Sequence, residues 1–273
     1  MELGHKIGAC TWMFGELPLS EIARRLGKLG YDGVELMGSP DLYQPEEAVQ
    51  ILAGHGLAVL SLTPENVDLA HPDPATRAEA VDYYLRLLDF GAALGGPLVC
   101  CHGDVGRIRA ITSQEEEWAL FVEAVRKVSE RAQTLNLHVV IEVLNRYESH
   151  LVNNVSQALA FVSDVGADNV GILLDAYHKN IEEPDPAVAL RQAADRLWLY
   201  HAADSNRQAI GRGHTAFRAQ MATLKEIKYS GPIILECTPP GPDPFRSIKD
   251  ENSLGWLETY LAESRAWLLG VRN

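Results

Sequence analysis

Short apolar runs alternate with amphipathic segments along the whole chain. Eight such runs begin at intervals of about 25 to 40 residues. Between them lie segments such as LSEIARRLGKLG and EEEWALFVEAVRKVSERAQTL, in which apolar residues recur with the helical period. Strands that alternate with helices are typical of βαβ units and of a parallel sheet. The predicted strands are HKIGAC (5–10), GVELM (33–37), LAVLSL (57–62), PLVCC (97–101), LHVVIEV (137–143), VGILLD (170–175), LWLYHA (197–202) and PIILE (232–236).

The number of repeats indicates the fold class. The runs are apolar at odd and even positions alike, as expected for strands that are covered on both faces. Eight units without a linker favour a closed (β/α)₈ barrel over an open doubly wound sheet. The segment ACTWMFGELP after the first run also lacks the G-x-G-x-x-G fingerprint of dinucleotide-binding folds. The sequence therefore predicts one α/β domain over residues 1–273, folded as a single TIM barrel.

Charge and cysteine content exclude several classes of partner. The 273 residues include 37 acidic and 24 basic side chains, and the net charge of −13 argues against nucleic acid or an anionic membrane as a partner. No apolar stretch reaches the length of a membrane span, and the N-terminal segment MELGHKIGACTWMF lacks the pattern of a secretion signal. The four cysteines form no C-x-x-C pair and lie in or beside apolar runs. We therefore expect buried free thiols in a cytoplasmic protein.

Four consecutive predicted strands end on a polar side chain. In a (β/α)₈ barrel the carboxyl ends of the strands meet at one mouth, where catalytic groups gather. Successive members of the set are 33, 26 and 35 residues apart, about one βα unit each, so we expect them to converge. The four residues are Glu142, Asp175, His201 and Glu236.

The chemistry of this set predicts a metal site. Three carboxylates packed together repel one another and raise each other's pKa unless a positive charge lies between them. A divalent cation supplies that charge. Three carboxylates with one imidazole suit Mn²⁺, Mg²⁺, Co²⁺ or Fe²⁺ better than a structural zinc site, which is rich in thiolates. The residue types therefore predict one bound divalent metal ion.

Four stretches of the sequence resemble the xylose isomerase-like barrels. Within that superfamily they are most similar to the ketose 3-epimerases of the D-tagatose and D-psicose 3-epimerase type, and to the related 3-keto-glycoside epimerases. The patterns E-x-x-N-R-[YF]-E and D-x-[YF]-H-x-N-I-E-E are specific to the epimerase branch. The stretches are IEVLNRYESHLVN, LLDAYHKNIEEPD, HAADSNRQAIGRGHTAF and YSGPIILE.

This resemblance implies roles for individual residues. The family's metal ligands fall on Glu142, Asp175, His201 and Glu236. Its substrate-binding residues fall on Glu148, His178 and Arg207. The resemblance also implies Mn²⁺ as the ion, with Co²⁺ and Mg²⁺ as alternatives, a small sugar as substrate, and a homodimer or homotetramer of barrels.

The expected reaction inverts a carbon beside a ketone. An enzyme of this kind removes the acidic C–H proton and returns a proton on the opposite face, and a cation stabilises the enediolate between the two steps. Two carboxylates on opposite sides of the substrate can serve as base and acid when their pKa values are tuned toward neutrality. Glu142 and Glu236 are therefore the predicted catalytic pair of a metal-dependent sugar epimerase.

Other functions on the same barrel stay open. An aldose–ketose isomerase usually needs two metal ions and more ligands than the sequence offers. A 3-keto-glycoside epimerase would use the same proton chemistry on a different sugar. A DNA-repair endonuclease needs a histidine-rich mouth and a basic face, and a sugar-binding barrel without turnover would not need both glutamates. The sequence does not rank free, phosphorylated and glycosidic sugars.

Glu35 and His102 are weaker candidates near the mouth. Glu35, at the end of the second run, could orient His201 or His178, touch the substrate, or serve structure alone. His102 follows the fourth run and could contact the substrate. The glutamate pair of the NIEE segment has no catalytic role in this interpretation, and we expect it to fix the loop and begin the next helix.

Three further features have two interpretations each. Trp12 and Phe14 follow the first run and could form an apolar wall against the sugar or belong to the core. Arg107 and Arg109 could bind a phosphate, but an exposed loop pair is the expected role. The proline-rich segment CTPPGPDPFRSIKDENS after the eighth run is expected to cover the substrate or to form an interface.

Overall fold

A computed structural model of the protein describes residues 4–103 and 105–272. The predicted domain range of 1–273 also includes residues 1–3, 104 and 273, which lie outside the described residues. All eight predicted strands are present, with bounds that differ from the apolar runs by at most a few residues. The strands are β1 (Ile7–Cys10), β2 (Gly33–Gly38), β3 (Ala58–Pro64), β4 (Leu98–Cys101), β5 (Val139–Val143), β6 (Val170–Asp175), β7 (Leu197–Ala202) and β8 (Ile233–Leu235).

The strands close into a parallel barrel. Each strand pairs with the next along the chain, and β8 pairs with β1 through the Ile7–Ile233 register. Strand β6 is buried at every position, which agrees with strands that are covered by helices outside and packed side chains inside. The prediction of a (β/α)₈ TIM barrel is confirmed.

The helices form a layer around the barrel. Several begin at a polar N-cap, as at Ser113, whose Oγ accepts a hydrogen bond from the backbone N–H of Glu116 at 3.1 Å. Among the described residues, no helix combines the length and the apolar character needed to cross a bilayer. The helices are α1 (Leu19–Leu29), α2 (Pro45–Ala53), α3 (Pro74–Ala93), α4 (Gln114–Thr134), α5 (Val155–Val165), α6 (Ala176–Glu182), α7 (Pro186–Ala193), α8 (Phe217–Glu226) and α9 (Ser253–Arg272).

Strand register brings distant polar residues into one layer at the carboxyl end of the barrel. Asp175 pairs with His201 across β6 and β7, and Glu35 pairs with Cys10 on one side and with Ser61 on the other. Side chains alternate between the two faces of a strand, so residues that share a register position on neighbouring strands share a face. Closure of the barrel therefore places Glu35, from the N-terminal half, beside the residues of the C-terminal half.

Helix α6 corrects one expectation. The NIEE glutamates do not begin a new helix, because Glu182 is the last residue of α6 and Glu183 follows it. The Glu182 carboxylate accepts hydrogen bonds from Arg146, including its backbone N–H at 2.7 Å. Glu183 Oε1 accepts from the backbone N–H of Val155 at 2.7 Å. The pair therefore fixes the loop, as expected, by joining α6 to the segment between β5 and α5.

Candidate active site

Three of the four predicted metal ligands lie in direct proximity. His201 Nδ1 is 3.3 Å from Glu236 Oε2 and 4.0 Å from Glu142 Oε1. Two atoms that each lie about 2.1 Å from one ion can be at most about 4.2 Å apart, so both separations fit a shared cation. Asp175 is fully buried at the end of β6 and joins this group through Arg207.

Asp175 serves the fold and the site with different oxygens. Its Oδ1 accepts a hydrogen bond from the backbone N–H of Tyr177 at 2.8 Å and so caps the N-terminus of α6. Its Oδ2 accepts from Arg207 Nη1 at 2.8 Å. Because the cap fixes the carboxylate plane, Oδ2 has a defined direction toward the mouth.

Arg207 links two of the predicted ligands. Its Nη1 donates to Asp175 Oδ2 and to Glu236 Oε2, the latter at 3.0 Å, and its guanidinium lies over the ring of Tyr177 at 4.4 Å from the centroid. The side chain is 8% exposed, which rules out a solvated loop arginine. Despite burial, Glu236 and Asp175 keep the pKa of Arg207 raised, so this residue is a permanent cation.

The loop after β7 is shaped to present Arg207. The Asp204 carboxylate accepts hydrogen bonds from the backbone N–H groups of Ser205, Gly211 and Thr215 at 2.7, 2.8 and 3.0 Å. Arg207 itself has a left-handed backbone with φ +59°, which non-glycine residues rarely adopt. A fixed loop that holds an uncommon conformation at this residue indicates that the direction of its side chain matters.

His178 lies on α6 with a defined tautomer. Its Nδ1 accepts a hydrogen bond from the backbone N–H of Asn145 at 3.2 Å, so in the neutral ring the proton is on Nε2. That Nε2 is buried, lies 3.6 Å from Asp175 Oδ2 and has no hydrogen-bond partner among the described residues. Burial lowers the pKa of His178 and keeps the ring neutral. The histidine therefore presents one free N–H donor.

Asn145 is a site residue that the sequence interpretation missed. Its Nδ2 donates to Glu148 Oε1 at 2.7 Å and lies 2.8 Å from His178 Nδ1. It therefore orients two of the three predicted substrate-binding residues at once. The signal was present in the sequence, because Asn145 is the asparagine of the E-x-x-N-R pattern.

Glu35 occupies the layer below His201. Its Oε2 lies 3.0 Å from His201 Nε2, which leaves the other ring nitrogen, Nδ1, facing Glu142 and Glu236. Burial alone would raise the pKa of Glu35, but the charge of His201 outweighs it and the net shift is downward. The side chains that donate to the Glu35 carboxylate are Ser61, Thr63, Cys10 and Cys100, at 2.6, 2.7, 3.5 and 3.4 Å.

The carboxylates of the mouth differ in protonation. Burial raises the pKa of Glu142 to about 8, and the charges of Glu236, Glu35 and Asp175 add to this effect while His201 opposes it. For Glu236, burial is outweighed by Arg207 and His201, so its pKa is lowered. Without a cation, Glu142 therefore holds a proton more firmly than Glu236 does.

This charge balance fits a cation. Three buried carboxylates, Glu35, Asp175 and Glu236, and the partly buried Glu142 face two cationic side chains, Arg207 and His201. Glu142 holds a proton in response. Within the described part of the chain, the compact groups of donor atoms are Cys10–His201–Glu236 and Glu35–Cys100–His201. Burial raises the pKa values of both thiols well above their usual range, so these cysteines remain protonated donors to Glu35 rather than metal ligands. The oxygen-rich side of His201, with Glu142, Asp175 and Glu236, is the better cation site.

A cavity of about 460 Å³ opens above these groups. Trp12 forms part of its wall and donates from Nε1 to Glu236 Oε1 at 3.1 Å, whereas Phe14 is fully buried in the core. Phe245, from the proline-rich segment after β8, lines the cavity with 59% of its surface exposed. The volume suits a small polar ligand, and an exposed aromatic ring at the rim suits a segment that covers it.

Three of the weaker candidates, Arg107, Arg109 and His102, have different surroundings. Arg107 is partly buried in ion pairs with Asp68 and Glu117, so the expectation of an exposed loop arginine was wrong for this residue. Arg109 is exposed. His102 lines the cavity as a buried residue.

Comparison with known proteins identifies the family. The model of the xylose isomerase-like TIM barrel family matches residues 23–268. A ketose 3-epimerase of Arthrobacter globiformis is 33% identical over 217 residues, which span 76% of this chain and 73% of the relative. A 3-dehydro-D-guloside 4-epimerase of Escherichia coli is 28% identical over 263 residues, or 93% of this chain and 99% of that protein. The match to an L-ribulose 3-epimerase of Mesorhizobium japonicum, 31% identical, spans 62% of that relative's length.

Solved structures agree with these relatives. The crystal structure of D-psicose 3-epimerase with D-tagatose from Clostridium cellulolyticum superposes with a TM-score of 0.86 at 28% identity, over 98% of both chains. The resemblance inferred from the sequence motifs is confirmed. The chain belongs to the xylose isomerase-like TIM barrel family, among its carbohydrate epimerases, which are isomerases.

Proposed function

We propose that this protein inverts a sugar carbon next to a ketone, as a ketose 3-epimerase does. The observation that carries the proposal is the arrangement of two glutamates at one mouth: Glu142 Oε1 and Glu236 Oε2 lie 4.0 and 3.3 Å from the same nitrogen of His201, and both residues line the cavity. One carboxylate can accept the C–H proton while the other, in its protonated form, returns a proton on the opposite face, which are the two functions that inversion through an enediolate requires. The names of the relatives agree with this chemistry.

The roles of the chain's own residues follow from their donors and acceptors. The Glu236 carboxylate takes the C–H proton, Glu142 delivers a proton to the opposite face, and the two exchange roles in the reverse reaction. His178 Nε2–H donates to a substrate oxygen, and its neutral ring cannot protonate the enediolate prematurely. Glu148, held by Asn145, accepts from a substrate hydroxyl. Arg207 keeps Glu236 ionised.

The proposal includes one divalent cation, with Mn²⁺ as the expected ion and Co²⁺ or Mg²⁺ as alternatives. The residues that would hold it are Glu142, Asp175, His201 and Glu236. When bound, the cation stabilises negative charge on the carbonyl and hydroxyl oxygens of the substrate. Three oxygen donors and one imidazole are the chemistry that supports this choice of ions.

Glu35→Gln is expected to weaken the apparent affinity for Mn²⁺ by about 10- to 100-fold, because the glutamine no longer holds His201 Nε2 with a charged acceptor. Activity should return at high Mn²⁺ concentration. The measurement is a Mn²⁺ titration monitored by thermal shift and by turnover. The matched control is Glu226→Gln, on an exposed glutamate of α8 paired with Arg191. Equal Mn²⁺ affinity in the Glu35→Gln variant and the wild type would show that Glu35 does not position His201 for ion binding.

A 3-keto-glycoside epimerase is the second candidate. The match to the 3-dehydro-D-guloside 4-epimerase covers nearly the whole of both chains, which favours this alternative. The same glutamate pair would act at a different carbon of a larger substrate. An aldose–ketose isomerase is the third candidate function for the same residues. It would move the substrate hydrogen by a hydride shift, so the original hydrogen would be retained in the product.

Turnover in D₂O tests the proposal and separates these alternatives. Mn²⁺-loaded protein is assayed against ketohexoses, ketose phosphates and 3-keto-glycosides, with NMR detection of the product. We expect one deuterium at the inverted carbon, because the carboxyl proton that Glu142 delivers exchanges with solvent. Retention of the original hydrogen would indicate a hydride shift and an isomerase. Absence of turnover on every member of the panel would reject the proposed activity.

The proposed protein is a cytoplasmic homodimer or homotetramer that acts on a small sugar and has no nucleic-acid or membrane partner. Exposed apolar side chains near the mouth, on the segments after β4 and β5 and on α6, support self-association: Ile108, Ile111, Tyr147 and Ile181. Four free, buried cysteines support a reducing compartment. The net charge of −13 supports the absence of nucleic-acid and membrane partners.

A further inference from the structure

His102 is the polar residue of the cavity wall to which the proposed chemistry gives no role. It follows β4, whose Cys101 pairs with Ile141 of β5, so His102 stands beside Glu142 at the mouth. The side chain lines the cavity and is 5% exposed. Its Nδ1 is buried without a hydrogen-bond partner among the described residues. A buried nitrogen of this kind costs free energy unless a ligand or a water molecule supplies the partner.

The backbone around His102 is held in place. Gly103 O accepts a hydrogen bond from the backbone N–H of Leu69 at 3.0 Å. The Asn66 side chain bonds the Val105 backbone twice, donating from Nδ2 to the carbonyl at 2.5 Å and accepting from the N–H at 2.8 Å. Hydrogen bonds from Asn66 and Leu69, which follow β3, therefore fix the backbone just after His102. Because the backbone is fixed, the His102 imidazole keeps a defined position in the cavity wall, as a substrate-binding residue requires.

The ring is suited to a hydroxyl rather than an anion. Burial lowers the pKa of His102 to about 4, so at neutral pH the imidazole is uncharged and offers one N–H donor and one nitrogen acceptor. A sugar hydroxyl both donates and accepts, and can pair with such a ring in either tautomer. Among the described residues that line the cavity, the guanidinium of Arg207 is the permanent cation, and it is bonded to Asp175 and Glu236. The cavity wall at His102 therefore offers no positive charge that could bind a phosphate group.

We propose that His102 is a substrate-binding residue that hydrogen-bonds a hydroxyl on the Glu142 side of the sugar, and that it selects an uncharged, hydroxyl-bearing substrate there. This inference rests on the proposed epimerase function. It adds a contact from β4 to those already assigned on β5, β6 and the loop after β7. Because the contact exists both before and during proton transfer, it should affect substrate binding more than the rate of the bound complex.

The test compares His102→Phe, which keeps a planar ring without nitrogen, with His102→Asn, which keeps one donor and one acceptor. The control is His55→Asn, on an exposed histidine of the α2–β3 segment. Substrates are a ketohexose that the wild type binds and its mono-deoxy analogues. The readouts are Kd from calorimetry, and KM and kcat from turnover, all with Mn²⁺. Thermal melts check that each variant is folded.

For His102→Phe we expect Kd and KM to rise about 5- to 10-fold with kcat within about twofold of the wild type. His102→Asn should recover most of this loss, and the effect should vanish on the one deoxy analogue that lacks the partner hydroxyl. Equal Kd values for wild type and His102→Phe, or a loss of the same size on every analogue, would overturn the role of His102 while leaving the epimerase function in place.

The two proposals fail in different ways. If the wild type binds the ketose without converting it, and His102→Phe weakens that binding, the His102 contact is supported and the proposed activity is rejected. A wild type that neither binds nor converts any ketose would reject both.

Discussion

Glu236→Gln and Glu142→Gln are each expected to lower kcat for epimerisation by about 10³-fold or more. General acid–base catalysis contributes factors of about 10² to 10⁴, and each variant removes one of the two groups that exchange protons with the substrate. The amide is close in shape to the carboxyl group, so we expect the barrel to remain folded. The loss should be similar in both directions of the reaction, because each glutamate acts as base in one direction and as acid in the other.

The measurement is kcat by NMR for both epimers, with a parallel Mn²⁺ titration. Since both glutamates are also proposed to hold the ion, activity that returns at high Mn²⁺ would assign the loss to ion binding, whereas a loss that persists in the loaded enzyme assigns it to proton transfer. Glu226→Gln, on the outer surface, should retain wild-type kcat. Turnover by either site variant above about one tenth of the wild-type value would exclude that glutamate from the acid–base pair.

Much of the fold was predictable from local patterns. Eight apolar runs at βα spacing indicate parallel strands that are covered on both faces, and eight such units without a linker favour a closed barrel over an open doubly wound sheet. The same periodicity locates the strand ends, and therefore predicts that Glu142, Asp175 and His201 lie at the mouth, as the structure shows. The contacts of Asp175 and Glu236 with Arg207 depend on the left-handed backbone of Arg207 in a loop, which no periodicity indicates.

The layer beneath the mouth was not predictable. Its residues come from β1, β3 and β4, and nothing in the sequence distinguishes them from ordinary strand residues: Cys10, Ser61, Thr63 and Cys100. They become partners of Glu35 only when barrel closure and strand register bring their positions together. Glu35 itself had three open roles, and the 3.0 Å contact with His201 Nε2 selects one of them.

Short helices and long-range side-chain contacts were also not predictable from local sequence patterns. Helix α6 spans seven residues and begins on a cap supplied by Asp175, whose chemistry pointed to a metal site rather than to a helix start. Glu183 bonds the first residue of α5, 28 positions earlier in the chain. Contacts of this range follow from the assembled barrel and leave no periodic signal in the sequence.

Removal of divalent cations is expected to abolish activity, and Mn²⁺ or Co²⁺ should restore it better than Mg²⁺. The carboxylates at the mouth outnumber the two cationic side chains, so without a cation Glu142 retains its proton at neutral pH and cannot act as a base. Binding of the ion to the folded protein should raise the Tm by about 5 °C at saturating concentration, because a ligand that binds only the native state stabilises it. Asp175→Asn should remove this shift, whereas Glu226→Gln should keep it.

The pH dependence of ion binding provides an independent test. In the cation-free protein the pKa of Glu142 is raised to about 8 and that of His201 is also raised, so protons and the cation compete for these groups. The folded apo protein holds the Glu142 proton at pH 6 and begins to release it toward pH 8. The apparent affinity for Mn²⁺ should therefore rise by about 10-fold or more from pH 6 to pH 8, with proton release on binding measurable by calorimetry in two buffers. A pH-independent affinity, or full turnover after verified removal of the metal, would contradict a cation held by Glu142 and His201.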